Sequence, residues 1–376
     1  MSQRIVFWFS DTGGGHRSAA EAVIEALKAR HGEQVEPVMV DAIKQYAPPP
    51  FNRSAEWYAK VSNRRPWEWG LSYYVTNGLR RFQLTQLLLW PYIRSSMRRA
   101  VRENPADLYV SVHPILARLT MVYPRTRPPV VTVVTDAVTG HISWFAPEVD
   151  ACVVATERAR QIGLRYGMPA SKLRVIGMPV SARFSQPFGD KAELRQKLGW
   201  GAEKPVVLIV GGGEGVGPLY EITQALSFAR LECEVAVVCG RNQKLHARLQ
   251  AGEWNLPVHA YGFVRDMPDF MRAADVLVTK AGPGTIAEAF IAGLPMILYS
   301  RLPGQEEGNV AYVVDEGAGV WAPKPELVVN ALRHWLGSDS RELRRAAVNA
   351  RRLARPNASQ DIADFLASYL DLPSKT

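Results

Sequence analysis

Two stretches of this chain carry residue types whose spacing suits the handling of an anion and of a proton. The first runs from Thr279 to Asn309, TKAGPGTIAEAFIAGLPMILYSRLPGQEEGN. The run Asp275 to Thr279 reads as a buried strand, after which Gly282, Pro283 and Gly284 turn the chain into a helix opening at Thr285. Glycines there bare backbone N–H groups, and the helix start adds the positive end of its dipole, which together suit a diphosphate. Lys280, at the strand end, either neutralises phosphate charge or, as strand-end lysines often do, only faces solvent. Pro295 and the apolar run Met296 to Tyr299 suggest the next strand. The loop after it carries Gln305, Glu306, Glu307 and Asn309, whose side chains can hydrogen-bond sugar hydroxyls. Thr285 and Glu288 also fit the S/T-x-x-E capping box, in which the acid serves the helix's own N–H groups. The other reading of Glu288 is the binding of a ribose, and both stand.

The second stretch is the glycine loop Ser10 to His16, between the apolar IVFWF and the helical SAAEAVIEALKAR. A histidine at a helix N-terminus feels the positive end of the dipole, which disfavours the imidazolium and leaves a ring able to accept a proton near pH 7. Asp11 ends the first strand, and Asp136 ends VVTVVTD. Either is placed to support His16.

These loops need strands and helices to hold them. Val206 to Val210, GGGEGVG and LYEITQALSFAR repeat the strand, glycine loop and helix of the N-terminus, so the fold class is α/β with two Rossmann-like, doubly wound domains facing across a cleft. Further strands are expected at Val35–Val40, Leu108–Val112, Val130–Thr135, Ala151–Ala155 and Val175–Ile176, then at Val235–Cys239, Val258–Tyr261, Val276–Thr279 and Met296–Tyr299. The division expected is 1–180, 181–355 and a C-terminal helix within 356–376 that crosses back to the first domain, with a linker over Gly177 to Pro187 and Phe188 to Asp190. Neither glycine loop matches G-x-G-x-x-G, and no acid is placed for a dinucleotide ribose, which weakens a nicotinamide enzyme.

Length and composition agree with that plan. A chain of 376 residues, 47% hydrophobic and 22% charged, can bury two cores. Its three cysteines, Cys152, Cys233 and Cys239, form no C-x-x-C pair, and its seven histidines lack metal-ligand spacing. Met1 to Ser10 is too short an apolar run for a signal peptide or a spanning helix, so a cytosolic protein is expected. Residues 52–102 break the α/β rhythm. Four of the ten tryptophans fall there, and ten basic side chains face two acidic ones, a local +8 against +9 for the whole chain. Aromatic and leucine anchors interleaved with arginines suit a segment lying on an anionic membrane surface. A plain core, a solvated helix face or a nucleic-acid patch are the other readings; no RNA- or DNA-binding signature accompanies the segment.

DTGGGHRSAAEA and the Thr279–Asn309 segment closely resemble the motifs of the monogalactosyldiacylglycerol synthase family, two-domain nucleotide-sugar glycosyltransferases of the GT-B type. They are related to the lipid-linked N-acetylglucosaminyltransferase of peptidoglycan synthesis. The resemblance covers nearly the whole chain and implies that His16 activates the acceptor, with Gly14, Gly15, His113 and His141 on the acceptor side. It implies that Gly211, Gly212, Gly213 and Gly215 lie under the diphosphate, as do Gly282, Pro283, Gly284 and Thr285. Phe263 and Val264 of GFVRDM would bracket the uracil, Glu288 would hold the ribose, and Gln305, Glu306 and Glu307 would meet the hexose. Where the family usually has an arginine this chain has Ser181, and Arg183 is the replacement phosphate contact.

The expected activity is therefore inverting transfer of galactose from UDP-galactose to 1,2-diacylglycerol, giving a β-linked glycolipid. No cofactor and no metal ion are expected, because helix starts and backbone N–H groups stabilise the departing diphosphate. The expected partners are UDP-hexose, diacylglycerol and, through residues 52–102, anionic lipid, without nucleic acid. The expected location is cytoplasmic, peripheral on the inner face of the membrane. The alternatives are a UDP-glucose donor, a peptidoglycan-type lipid acceptor, or a non-catalytic protein that binds UDP-sugar at a membrane.

Overall fold

The computed structural model describes residues 2–11, 14–114, 116, 127–186, 189–337 and 341–372. Pro187 and Phe188 of the expected linker lie outside them. The chain divides into two compact units, residues 1–182 with 302–305 and 356–376, and residues 183–301 with 306–355.

Unit 1 is built on β1 (Gln3–Phe9), α1 (Gly15–His31), β2 (Val35–Asp41), α2 (Ala42–Tyr46), α3 (Ser54–Arg64), α4 (Pro66–Thr76), α5 (Leu79–Glu103), β3 (Leu108–Ser111), β4 (Val130–Val133), β5 (Ala151–Val154), α6 (Glu157–Arg165) and β6 (Leu173–Val175). Its six strands are all parallel in the order β2-β1-β3-β4-β5-β6. Alternate side chains of β1 face opposite layers, as strand pleating requires. Val6 and Trp8 pack with Ala100 and Val101 at the end of α5 and with Trp144 and Phe145. Ile5, Phe7 and Phe9 pack with Ala20, Val23 and Leu27 of α1.

Unit 2 contains α7 (Lys191–Leu198), β7 (Val206–Val210), α8 (Leu219–Ala229), β8 (Glu234–Val238), α9 (Gln243–Gln250), β9 (Val258–Tyr261), α10 (Met267–Ala273), β10 (Val276–Lys280), α11 (Pro283–Ala292), β11 (Met296–Ser300), α12 (Glu307–Asp315), β12 (Gly319–Trp321), α13 (Pro325–Leu336) and α14 (Arg341–Leu353). Its sheet is again six-stranded and parallel, in the order β12-β11-β10-β7-β8-β9. α8 and α13 cover one face through Leu219, Ile222, Leu226, Val328 and Leu332. The run Val206–Val210 is entirely buried, as a central parallel strand requires.

The final helix, α15 (Ala358–Ala367), belongs to unit 1, where Ile362, Ala363 and Leu366 join the layer formed by β1 and α1. Its buried Ser359 exchanges hydrogen bonds with Val180, the hydroxyl accepting from the amide at 3.0 Å and donating to the carbonyl at 2.7 Å.

The sheets have the two doubly wound orders whose connections leave neighbouring strands toward opposite faces, at β1 and β3 in unit 1 and at β7 and β10 in unit 2. Ligand crevices form beyond the carboxyl ends of such strands, and the candidate residues follow these strands. Two expected boundaries shift in a way that matters. β4 stops at Val133, so Thr135 and Asp136 leave the ladder and enter the crevice region. α11 begins at Pro283 rather than Thr285, because a proline with its fixed φ is already suited to the first helical position.

Replacing the fully buried Ile362 with alanine removes packing from β1 and α1 together and is expected to destabilise unit 1 by about 2–5 kcal/mol. Denaturant unfolding followed by tryptophan fluorescence measures it, and an unchanged midpoint would show that α15 does not stabilise this unit.

Candidate active site

In unit 1 the chain leaves β1, turns through the left-handed Gly14 (φ 78°) and starts α1, which places His16 at the second helical position. Gly14 and Gly15 are exposed. The His16 ring is half-buried, with Nδ1 2.8 Å from the Thr135 hydroxyl, its centroid 4.9 Å from that of His113 and 5.9 Å from that of Trp144. Burial is the main reason its pKa falls to about 4, and the Val112 carbonyl acts in the opposite direction. The neutral ring expected from the helix dipole is thus owed chiefly to desolvation.

Among the described residues, the side-chain hydrogen bond to the His16 ring comes from neither expected aspartate but from Thr135. Both oxygens of Asp11 are taken by Arg17, which donates from Nε and Nη2 at 2.7 Å and holds the carboxyl below its usual range. Asp136 is buried and accepts from Trp144 Nε1 at 2.6 Å and Gln305 Nε2 at 2.9 Å. The residue that meets His16 is Thr135, which sequence reasoning passed over. The only signal for it was its place beside Asp136, at the carboxyl end of the strand.

His113 follows β3, is buried, and lies well below the usual histidine range through burial and then through the nearby His16. His141 plays a more structural part. Its Nδ1 accepts from the Ser143 amide at 3.2 Å, so the proton sits on Nε2, which faces the Thr76 hydroxyl at 3.1 Å. Burial lowers its pKa to about 4.

A cavity of about 580 Å³ joins these groups to the insert. Its polar lining includes His16, His113, Asp136 and Gln305, while α3, α4 and α5 supply apolar walls such as Trp57, Trp69, Leu89, Trp90 and Ile93. The 52–102 segment therefore does more than interrupt the α/β rhythm, because three helices from it enclose space beside a neutral imidazole.

In unit 2 the loop after β7 is closed by the Val216 amide donating to the Gly211 carbonyl at 3.0 Å. Gly212 and Gly215 have positive φ, and a Cβ on Gly215 would lie 1.9 Å from the Cys239 carbonyl oxygen. Gly213 completes the turn, with its carbonyl accepting from the Arg241 amide at 2.9 Å. After β10, Gly282 caps α11 without a side-chain hydrogen bond, and the first-turn N–H groups of Gly284 and Thr285 have no helical partner. The Lys280 side chain passes close to both turns, within 3.4 Å of the position of a Cβ on Gly212 or Gly282. An ammonium and two glycine turns within one unit are arranged so that they can hold a phosphate anion.

The capping-box reading fails, because Thr285 is the third residue of α11 and not its cap. Glu288, one turn further on, is half-buried, and burial raises its carboxyl to about 7. Phe263 is exposed beneath the Arg241 guanidinium, 5.0 Å from its ring centre, and Val264 beside it is half-buried.

The loop expected to meet a hexose is largely engaged with protein. Gln305 belongs to unit 1 and bonds Asp136, whereas buried Glu306 pairs with Lys280 at 3.3 Å. Glu307 lies 3.8 Å from Arg301, and Asn309 is buried with Nδ2 donating to the Ala281 carbonyl at 2.9 Å. Arg183 is held by Asp266 and the Arg265 carbonyl, and Ser181 donates to Glu25.

The family model described as monogalactosyldiacylglycerol (MGDG) synthase matches residues 16–180, and the glycosyltransferase family 28 C-terminal domain matches residues 206–364. The chain is 37% identical to the "Probable monogalactosyldiacylglycerol synthase 2, chloroplastic" of Oryza sativa subsp. japonica, over 99% of this chain and 82% of that protein. It is 34% identical to monogalactosyldiacylglycerol synthase 1, chloroplastic, of Arabidopsis thaliana, over 95% of this chain and 69% of that one. The crystal structure of Acinetobacter baumannii MurG shares the fold, with a TM-score of 0.63 and 18% identity over 97% of this chain and 99% of that one. The expectation of a cytoplasmic enzyme on the inner face of the membrane is overturned, since the curated relatives are named chloroplastic.

Three histidines of unit 1, His16, His113 and His141, have folded pKa values below the ordinary 6.5. At these three groups the unfolded state binds more protons than the folded one below about pH 6.5, so their contribution to the stability of unit 1 falls as the pH drops from there toward about 4. Melting curves of the protein at pH 7, 6 and 5 should show a progressive drop in the unit 1 transition, and a constant midpoint would contradict the buried neutral rings.

Proposed function

The chain belongs to the monogalactosyldiacylglycerol synthase family, and from that premise we propose that it moves galactose from UDP-galactose to 1,2-diacylglycerol with inversion, giving β-monogalactosyldiacylglycerol. The observation that carries this reading is a neutral imidazole on the lining of an apolar cavity, where a lipid hydroxyl can meet a base without a charge being buried in advance.

In this mechanism unit 1 supplies the acceptor site and the base. The acyl part of diacylglycerol lies against the walls from α3, α4 and α5, and its free hydroxyl reaches His16. His16 takes the proton as the oxygen bonds to the anomeric carbon, and the bond to UDP breaks with its electron pair leaving on the diphosphate. Unit 2 supplies the donor site. The turns Gly211–Gly215 and Gly282–Thr285, with Lys280, receive the diphosphate; Phe263 and Val264 receive the uracil; Glu288 receives the ribose. The turn from Gln305 to Glu307 contributes to the choice of hexose. No metal ion has a part in this scheme, because backbone N–H groups and the lysine meet the departing charge.

Residues 52–102 also serve as the contact with anionic lipid. No described helix is long and apolar enough to cross a membrane. The helices from this segment do expose Trp67, Leu71, Leu84, Leu87 and Leu88, each at more than half of its surface, beside the arginines of the same segment. Apolar side chains at acyl depth with guanidinium groups at headgroup level make an interfacial anchor.

Purified protein given diacylglycerol with UDP-galactose or, separately, UDP-glucose tests the activity and the donor. His16→Ala should abolish transfer while UDP binding survives, and Glu288→Ala should weaken UDP binding roughly tenfold or more. Transfer at the wild-type rate by the first variant removes the base, and unaltered UDP affinity in the second removes the ribose contact. For the membrane, a Trp67→Asp/Leu88→Asp variant should bind phosphatidylglycerol vesicles at least ~10-fold more weakly, since each side chain forfeits about 1.5–3 kcal/mol of burial. Undiminished sedimentation with the vesicles would place the contact elsewhere.

A further inference from the structure

We propose that Thr135 is the positioning residue of the catalytic base, holding Nδ1 of His16 so that Nε2 is the atom that receives the acceptor's proton. The proposal rests on His16 acting as the base. Its starting point is a buried hydroxyl with one use. Thr135 is 6% exposed, and among the described residues its side-chain oxygen bonds only to His16 Nδ1, at 2.8 Å. Of the other buried threonines, Thr223 donates to the Leu219 carbonyl at 2.8 Å and Thr279 to the Val210 carbonyl at 3.1 Å, while the Thr132 hydroxyl has no partner among the described residues. Bonding to backbone is the ordinary fate of such a group. Thr135 instead leaves its ladder beyond Val133 and spends its hydroxyl on a side chain 119 positions away.

The chemistry explains why a hydroxyl suits this place. His16 sits in the first turn of α1, after a left-handed glycine, where its own helix does little to hold the ring. A carboxylate partner would orient the ring, but it would also favour the imidazolium and charge the apolar cavity before any substrate arrives. Both nearby aspartates are engaged elsewhere, Asp11 by Arg17 and Asp136 by Trp144 and Gln305. Thr135 orients without charging. Its oxygen accepts from Nδ1–H in the neutral ring, which leaves the lone pair on Nε2, and continues to accept from Nδ1–H once Nε2 is protonated. That second bond is charge-assisted and stronger, so the contact helps most as the proton moves. In the step, the acceptor O–H bond breaks to Nε2 while the oxygen bonds to the anomeric carbon and the pair from the broken glycosidic bond leaves with UDP.

Thr135→Val keeps the shape and removes the hydroxyl, and Thr135→Ser keeps the hydroxyl. The valine variant is expected to lose roughly 10- to 100-fold in kcat, as a misplaced base does, with KM for both substrates and the melting temperature little changed. Serine should restore most of the rate. In a His16→Ala background Thr135→Val should change the residual rate no further, because the threonine acts through the ring. Nitrogen-15 NMR of the wild-type His16 ring at neutral pH should report the Nδ1–H tautomer, a readout that needs no variant. Wild-type kcat in the valine variant, an equal loss in the His16→Ala background, or an Nε2–H ring would each overturn the proposal. Wild-type transfer by His16→Ala alone would instead remove the base itself, and so separates the two failures.

Discussion

The chemistry of this protein depends on a constraint of parallel sheets. Where connections leave two neighbouring strands toward opposite faces, no segment can cover the carboxyl ends of both, and a crevice stays open. Unit 1 has its reversal at β1 and β3, and unit 2 at β7 and β10. His16 follows β1 and His113 follows β3; the Gly211–Gly215 turn follows β7 and the Gly282–Thr285 turn follows β10. Residues far apart in sequence converge because the strand order brings their strands together.

The two units meet opposite electrostatic demands at these matching places. In unit 1 the insert helices wall the cavity that three histidines line, and burial lowers the pKa of all three rings. In unit 2 first-turn N–H groups are left without helical carbonyl partners and an ammonium lies beside them, an arrangement that suits an anion. Lys280 is itself held by the buried Glu306.

Much of the scaffold was legible because buried parallel strands announce themselves as apolar runs between turn residues. Val206–Val210 is such a run, and the half-buried edge strand Val258–Tyr261 also lies within its expected bounds. β12 escaped, since three residues beginning with a glycine carry no periodicity. The start of α11 was set two residues late because the S/T-x-x-E pattern competes with a proline at the first helical position, and the proline's fixed φ prevailed. The loop acids were legible as hydrogen-bonding groups but not in their partners. Glu306 and Asn309 turn inward, and Gln305 joins Asp136, since loop direction is set by packing that local sequence does not encode.

The sequence by itself determined the α/β class, the two glycine turns, the basic aromatic insert and the identity of His16 as the residue to watch. All of these are local properties of composition, spacing and backbone permissiveness. Only the tertiary structure decided what surrounds His16. Its ring hydrogen-bonds Thr135, its lowered pKa comes mainly from burial, and the insert becomes the wall of a cavity. A hydrogen-bond partner and a dielectric environment depend on which distant segments fold against a side chain, so they become definite only when the chain has packed.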